Sequence, residues 1–251
     1  MSGNSTSHKN LKYYFVWELP VRLFHWINVI CIIGLVAVGI VILNNKILGV
    51  SGDGKVLLKT VHVLIGYVFV SNLVWRIVWG FIGNQYAKWK SVLPMGKGYF
   101  KSLKVFITGV KSGSEPQYLG HNPVGRLMVS MLFLLISVQA VTGLVLAGTD
   151  LYFPPFGNEI VEWIAETKED QDVIALKPGS KEGINSEAYA EMRQFRKPFI
   201  IMHVYAFYLL LVFIFLHVGA VIITEMRDDN GLISAMFTGK KILSKEPVDL
   251  E

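Results

Sequence analysis

Residues 199–223 read FIIMHVYAFYLLLVFIFLHVGAVII, an unbroken apolar run whose ionisable members are His203, His217 and the tyrosines. A bilayer core is spanned by about 20 apolar residues rising 1.5 Å each, so this run can cross a membrane as a helix. Three further stretches, 21–43, 56–82 and 124–147, qualify in the same way. Composition agrees: of 251 residues 52% are hydrophobic and 17% charged, with a mean hydropathy of +0.45. A soluble domain carries about 25% charged residues. That balance excludes a disordered chain, a disulfide scaffold and a soluble α/β enzyme. The single cysteine, Cys31, allows no intramolecular disulfide, no cysteine-based metal cluster and no Cys-x-x-Cys-His attachment. The expected fold is all-α: one integral membrane four-helix bundle over residues 1–251, with short interfacial helices in its loops. The first span is too long for a cleavable signal sequence and no small-x-small site follows it.

Basic residues predict the sidedness. The N-terminal tail, second loop, C-terminal tail and adjoining helix ends hold 15 Lys/Arg, against nine on the other side. The outer loop, 148–198, also holds ten Asp/Glu. Positive residues stay in the cytoplasm, so both termini are expected there and the loop outside, in a bacterial inner membrane. The net charge of +5 reflects this bias and argues for no nucleic-acid partner.

Two loops carry helical patterns. Tyr99, Phe100, Leu103, Phe106, Ile107 and Val110 alternate with Lys97, Lys101, Lys104 and Lys111, a basic amphipathic helix suited to anionic membrane lipid. In the outer loop Phe156, Ile160, Trp163 and Ile164 form a stripe among Glu159, Glu162, Glu166 and Asp170. Both also read as surface helices covering the bundle ends; the acidic loop alternatively docks a positively charged partner such as a c-type cytochrome.

Four of the six histidines, His25, His62, His203 and His217, lie inside the spans. Ionisable residues there are rare, face the bundle interior and are functional candidates; a lone one also serves as an interhelical hydrogen bond. From position 203 to position 217, at 100° per residue, a helix turns to within about 40° of four full turns. His203 and His217 therefore project from one helix face, about 21 Å apart. His203 falls about 12 Å outside its span's centre and His217 about 9 Å inside. His25 falls about 10–12 Å inside and His62 about 11 Å outside. The four sort into an inner pair, His25/His217, and an outer pair, His62/His203.

Two imidazoles at one depth suit the axial positions of a haem iron, and bundle cores hold such cofactors. Ligation also removes the penalty of an unpaired polar group in hydrocarbon. Zinc wants about four ligands at one site. A proton relay wants acids, and the four spans contain no Asp or Glu. Two haems with irons about 20 Å apart would conduct electrons across the membrane. Gly39 follows His25 by the same step that separates His203 from His217. It thus reaches the outer level, where a flat macrocycle needs a small neighbour; Gly66 follows His62 by one turn. Close helix packing explains each glycine equally well. Arg76 follows His62 by that step too and reaches the inner level, to pair with a haem propionate or to snorkel. Trp17, Trp26, Trp75, Trp79 and Trp89 suggest a cytoplasmic aromatic belt.

The stretch WELPVRLFHW from Trp17 to Trp26, His62 with Gly66, Arg76 before Trp79–Gly80–Phe81, His121–Asn122–Pro123 with Gly125, Thr142–Gly143 and the His203/His217 step together resemble a known family. It comprises the four-helix prokaryotic b-type cytochromes: cytochrome b subunits of nickel–iron hydrogenases, formate dehydrogenase gamma subunits and bacterial cytochrome b561. The resemblance implies two haems b on the four histidines, paired as above. It further implies electron transfer between a periplasmic redox protein (hydrogenase, dehydrogenase or c-type cytochrome) and menaquinone or ubiquinone near the inner haem. His121 and Asn122, at the mouth of the third span, are the candidate quinone contacts, although Asn-Pro also reads as a helix cap. His8 sits in a polar tail. The outer loop is longer and more acidic than expected of a hydrogenase subunit, which leaves the partner open. Two other functions compete: a self-contained quinone oxidoreductase acting on a small substrate such as superoxide, and a membrane anchor without redox chemistry.

Overall fold

The computed structural model describes residues 11–167, 176–180, 182–228 and 231–250. Strand β1 (Lys12–Phe15) leads into α1 (Leu19–Leu43), α2 (Gly52–Ile82), α3 (Trp89–Val92), α4 (Tyr99–Ser112) and α5 (Pro123–Leu151). There follow α6 (Gly157–Ile164), α7 (Ser186–Asp228), α8 (Leu232–Thr238) and β2 (Lys240–Leu243). Helices α1, α2, α5 and α7 are long and apolar enough to cross a membrane. Their exposed Ile30, Phe81, Leu134 and Phe215 are side chains that hydrocarbon would cover. The chain is an all-α membrane helix bundle. Helices α4 and α6 occupy the two amphipathic loop segments; Asp170 and His8 lie outside the described residues.

Helix α7 starts well before the expected residue 199. Asn185 Oδ1 accepts hydrogen bonds from the backbone N–H groups of Glu187 and Ala188, both at 3.0 Å, which caps the new start. The polar stretch that follows holds no helix breaker until Pro198, which α7 carries internally. Hydropathy marks only the apolar part of such a helix.

Two compact units divide the chain, one of Met1–His25, Trp75–Phe133 and Val212–Glu251, the other of Trp26–Val74 and Leu134–Leu211. In the first, β1 and β2 pair antiparallel, Lys12 opposite Leu243 and Phe15 opposite Lys240. This ladder joins the segment before α1 to the segment after α8. Below it Val16, Trp17, Val21, Ala87, Leu119, Ala235 and Leu243 form a core, so Trp17 is an interior residue and no part of a surface belt. Gly239 has φ +81°, and a Cβ there would stand 2.6 Å from Trp17 O; its own carbonyl accepts from the N–H groups of Val16 and Trp17. Glu18 Oε2 receives Trp79 Nε1 (3.1 Å) and the Asn84 N–H (2.9 Å).

In the second unit Ile160, Ile164 and Met192 pack α6 on the start of α7. The Asp150 carboxylate joins Lys59 of α2 (2.6 Å) to Arg196 of α7 (2.8 Å). Buried Asn72 donates to buried Asn28 at 3.2 Å, tying α1 to α2.

Candidate functional site

Within the second unit α2 and α7 carry His62 and His203 to face each other, ring centroids 6.3 Å apart and planes inclined 69°. Two imidazoles on opposite sides of one metal, with bonds of about 2.0–2.1 Å and about 1.1 Å from nitrogen to ring centre, place their centroids about 6.3 Å apart. The rings therefore fit a shared iron. Around them opens a cavity of about 690 Å³, within the range of about 300–1,000 Å³ usual for cofactor sites. Gly39, Gly66 and Gly143 line it. A Cβ at Gly39 would stand 3.4 Å from His62 Cε1, one at Gly143 would stand 3.5 Å from His203 Cε1, and one at Gly66 would meet nothing within 4 Å. Lys55, Lys59, Arg193 and Arg196 also line the cavity, with Asp150 the acid among them. That excess of cations suits the carboxylate edge of a haem.

The ring of His203 is held from α5. Thr142 Oγ1 lies 2.8 Å from His203 Nδ1, and Gln139 Nε2 donates to the His203 carbonyl at 3.0 Å. His62 Nδ1 is buried and has no hydrogen-bond partner among the described residues.

In the first unit His25 and His217 lie within electrostatic reach of each other. Arg76 is buried, 3% exposed, so it does not snorkel. Its guanidinium lies 5.0 Å from the Trp89 ring centre, 5.4 Å from that of Phe133 and 6.0 Å from that of Phe24. Nη2 donates to Ala87 O at 2.9 Å, whereas Nη1 is buried with no hydrogen-bond partner among the described residues. A buried cation with a spare donor pair fits an anionic oxygen.

His121 packs its ring 5.0 Å from Trp17, and its Nδ1 is buried without a hydrogen bond among the described residues. Burial first, then Lys241, Arg76, His217 and Arg126, push its pKa down to about 3, so it is a neutral imidazole at pH 7. Lys241 donates to the carbonyls of Gly120 (3.0 Å) and Tyr118 (3.3 Å), and burial pushes its pKa down to about 8 despite Asp249. Asp249 in turn accepts the Leu119 and Gly120 N–H groups at 2.7 and 2.8 Å. Asn122 Oδ1 accepts the Gly125 N–H at 2.7 Å, so the helix cap forms through the amide oxygen. Among the described residues no three His, Cys, Asp or Glu gather around one point.

The family model for prokaryotic cytochrome b561 matches residues 16–239. The chain belongs to the prokaryotic cytochrome b561 family. It is 29% identical over 147 residues to the probable Ni/Fe-hydrogenase 1 B-type cytochrome subunit of Escherichia coli (strain K12), a match covering 55% of this chain and 61% of that protein. It is 26% identical over 222 residues to the Cupriavidus necator probable Ni/Fe-hydrogenase B-type cytochrome subunit, covering 81% and 82%. It is 24% identical over 240 residues to the corresponding Rhizobium leguminosarum bv. viciae protein, covering 91% and 88%. No solved structure matches the chain. The family is one of b-type, haem-binding cytochromes, and the chain spans 61% of the length of the Escherichia coli relative. Thr142, Gln139 and the Lys59–Asp150–Arg196 bridge escaped the reading of the sequence as site residues. Thr142 had a signal, its place beside Gly143 in the family motif.

Proposed function

We propose that this cytochrome b carries electrons across a bacterial inner membrane through two haems b, one held by His25 and His217, the other by His62 and His203. The observation that carries the reading is the 6.3 Å separation of the His62 and His203 rings. An iron between two neutral imidazoles supplies one-electron chemistry without a change of ligands.

The residues supply the rest. His62 and His203 offer one nitrogen each from facing helices, while Gly39, Gly66 and Gly143 leave room for a flat ring. Lys55 and Arg193 neutralise carboxylates at the cavity wall, Lys59 and Arg196 being shared with Asp150. Arg76 balances a propionate at the inner pair. Asn122 and His121 hydrogen-bond a quinone beside that pair. With its pKa held down by burial and cations, His121 serves as a neutral hydrogen-bonding group. The basic loops keep both termini in the cytoplasm, which puts the outer pair toward the periplasm.

The relatives are named Ni/Fe-hydrogenase B-type cytochrome subunits. A nickel–iron hydrogenase docked at the outer face is the electron partner these names support; a c-type cytochrome is the alternative that the acidic outer loop suits. Proteoliposomes given a soluble quinol should reduce a membrane-impermeant acceptor on the opposite side. Reduction of the haem with no electrons reaching that acceptor refutes transmembrane conduction. Asn122→Ala should slow quinol-linked haem reduction; an unchanged rate removes the quinone contact from the account.

A further inference from the structure

Helix α5 contributes no histidine to either pair, yet it grips His203 at three points. Gln139 Nε2 donates to the His203 carbonyl at 3.0 Å. Thr142, one turn further along, stands 2.8 Å from Nδ1 of the ring. Gly143 lets the ring edge approach, since a Cβ there would already stand 3.5 Å from Cε1. The three residues share one face of α5 by helical spacing.

The Thr142 hydroxyl has one proton and lies 2.6 Å from Val138 O, one turn back on α5, and 3.3 Å from Gln139 O, so a backbone carbonyl stands ready to take it. Oγ1 is then free to accept from the ring, the arrangement in which His203 Nδ1 carries hydrogen and donates. A neutral imidazole with its proton on Nδ1 has its lone pair on Nε2. Among the described residues His62 Nδ1 has no such partner; it is buried without a hydrogen bond. The facing pair is therefore asymmetric: among the described residues one ring has a side-chain partner at Nδ1 and the other has none.

We propose that Thr142 is a positioning residue for the outer haem: it locks His203 in the Nδ1–H tautomer with Nε2 presented to the iron, and makes His203 the more strongly donating of the two axial ligands. This rests on the assignment of His62 and His203 as a haem pair. Hydrogen bonding at Nδ1 raises the basicity of Nε2 and fixes the ring plane, the usual service of a carbonyl or hydroxyl behind a metal-bound histidine. A more basic ligand stabilises the ferric state, so Thr142 holds the potential of the outer haem down.

The test compares the holoprotein with Thr142→Val, which keeps the side-chain shape and loses the acceptor, and with Thr142→Ser, which keeps the hydroxyl. Haem affinity at the outer site should fall on the order of 10- to 100-fold in Thr142→Val, the range seen when such partners are removed. The midpoint potential of the outer haem should rise, and its low-spin EPR signal, which depends on the angle between the imidazole planes, should shift. Thr142→Ser should restore all three, while the inner haem, as an internal check on folding, stays unchanged throughout. An outer haem in Thr142→Val with wild-type affinity, potential and EPR signal overturns the role of Thr142. So does a Thr142→Ser variant that behaves like Thr142→Val. Failure of the underlying haem assignment looks different, because His203→Ala would then leave the haem content intact.

Discussion

Gly80 lies directly against the indole of Trp89: a Cβ at position 80 would collide with Trp89 Nε1. No side chain other than hydrogen fits there without moving the ring. That indole donates to Ile77 O at 3.1 Å and forms one wall of the cage around Arg76. Replacing Gly80 by alanine should cost about 1–3 kcal/mol, the range for overpacking. Thermal melts of the detergent-solubilised protein check this, and Gly80→Ala/Trp89→Ala should lose less than the sum of the two single changes, since the clash disappears with the indole. Additive losses would show that the two residues do not act together.

Gly39 makes a graded prediction. A methyl group there meets His62 Cε1 at 3.4 Å, an ordinary contact, so Gly39→Ala should keep its outer haem. A branched side chain projects further into the cavity, so Gly39→Leu should lose that haem and keep the inner one. Absorbance of the purified variants distinguishes the two, and full haem content in Gly39→Leu would mean that the cavity is not where the macrocycle lies.

Arg76 is a buried cation whose Nη1 has no hydrogen-bond partner among the described residues. A positive charge beside an iron disfavours its oxidised, more positive state, so Arg76→Leu should lower the midpoint potential of the inner haem and leave the outer one alone. Arg76→Lys should restore the potential only in part, because an ammonium cannot reproduce the fork that meets Ala87 O and an anion together. Redox titration reads both, and equal shifts at the two haems would contradict the placement of Arg76.

His121 governs an acid limit. Its pKa is pushed from an ordinary 6.5 down to about 3, so between those values the unfolded chain binds a proton that the folded chain refuses. The contribution is complete above pH 6.5 and is lost as the pH falls toward 3. Stability should therefore drop between pH 7 and pH 5, and His121→Gln, which does not titrate, should flatten that part of the profile. The groups that bear on the ring, Lys241, Arg76, His217 and Arg126, are positive or neutral, so none reverses the sign. An identical acid profile in His121→Gln would assign the loss to other groups.

What the sequence exposed is what hydrocarbon and helical repeat impose locally. The spans stand out because a bilayer demands length and apolarity, and His203 and His217 share a face because the step between them nearly completes four turns. Gly39 and His62, on adjacent helices, follow from the same arithmetic. Other features depend on how helices rotate against one another, which one-dimensional periodicity does not encode. The Thr142–His203 hydrogen bond is of this kind, and so is the Asp150 bridge. Strands β1 and β2 pair across almost the whole chain and are only four residues each, too short to announce themselves. Arg76 reads equally as an interfacial or a buried residue until Trp89, reached through the turn after α2, closes over it.

The most direct test is haem content counted per chain, together with the change caused by each histidine. Pyridine haemochrome analysis of the purified protein should give two haems b. His62→Ala and His203→Ala should each lose the same one, and His25→Ala and His217→Ala should each lose the other. A single haem in the native protein, or His62→Ala and His203→Ala variants that lose different haems, would contradict the pairing on which the account stands.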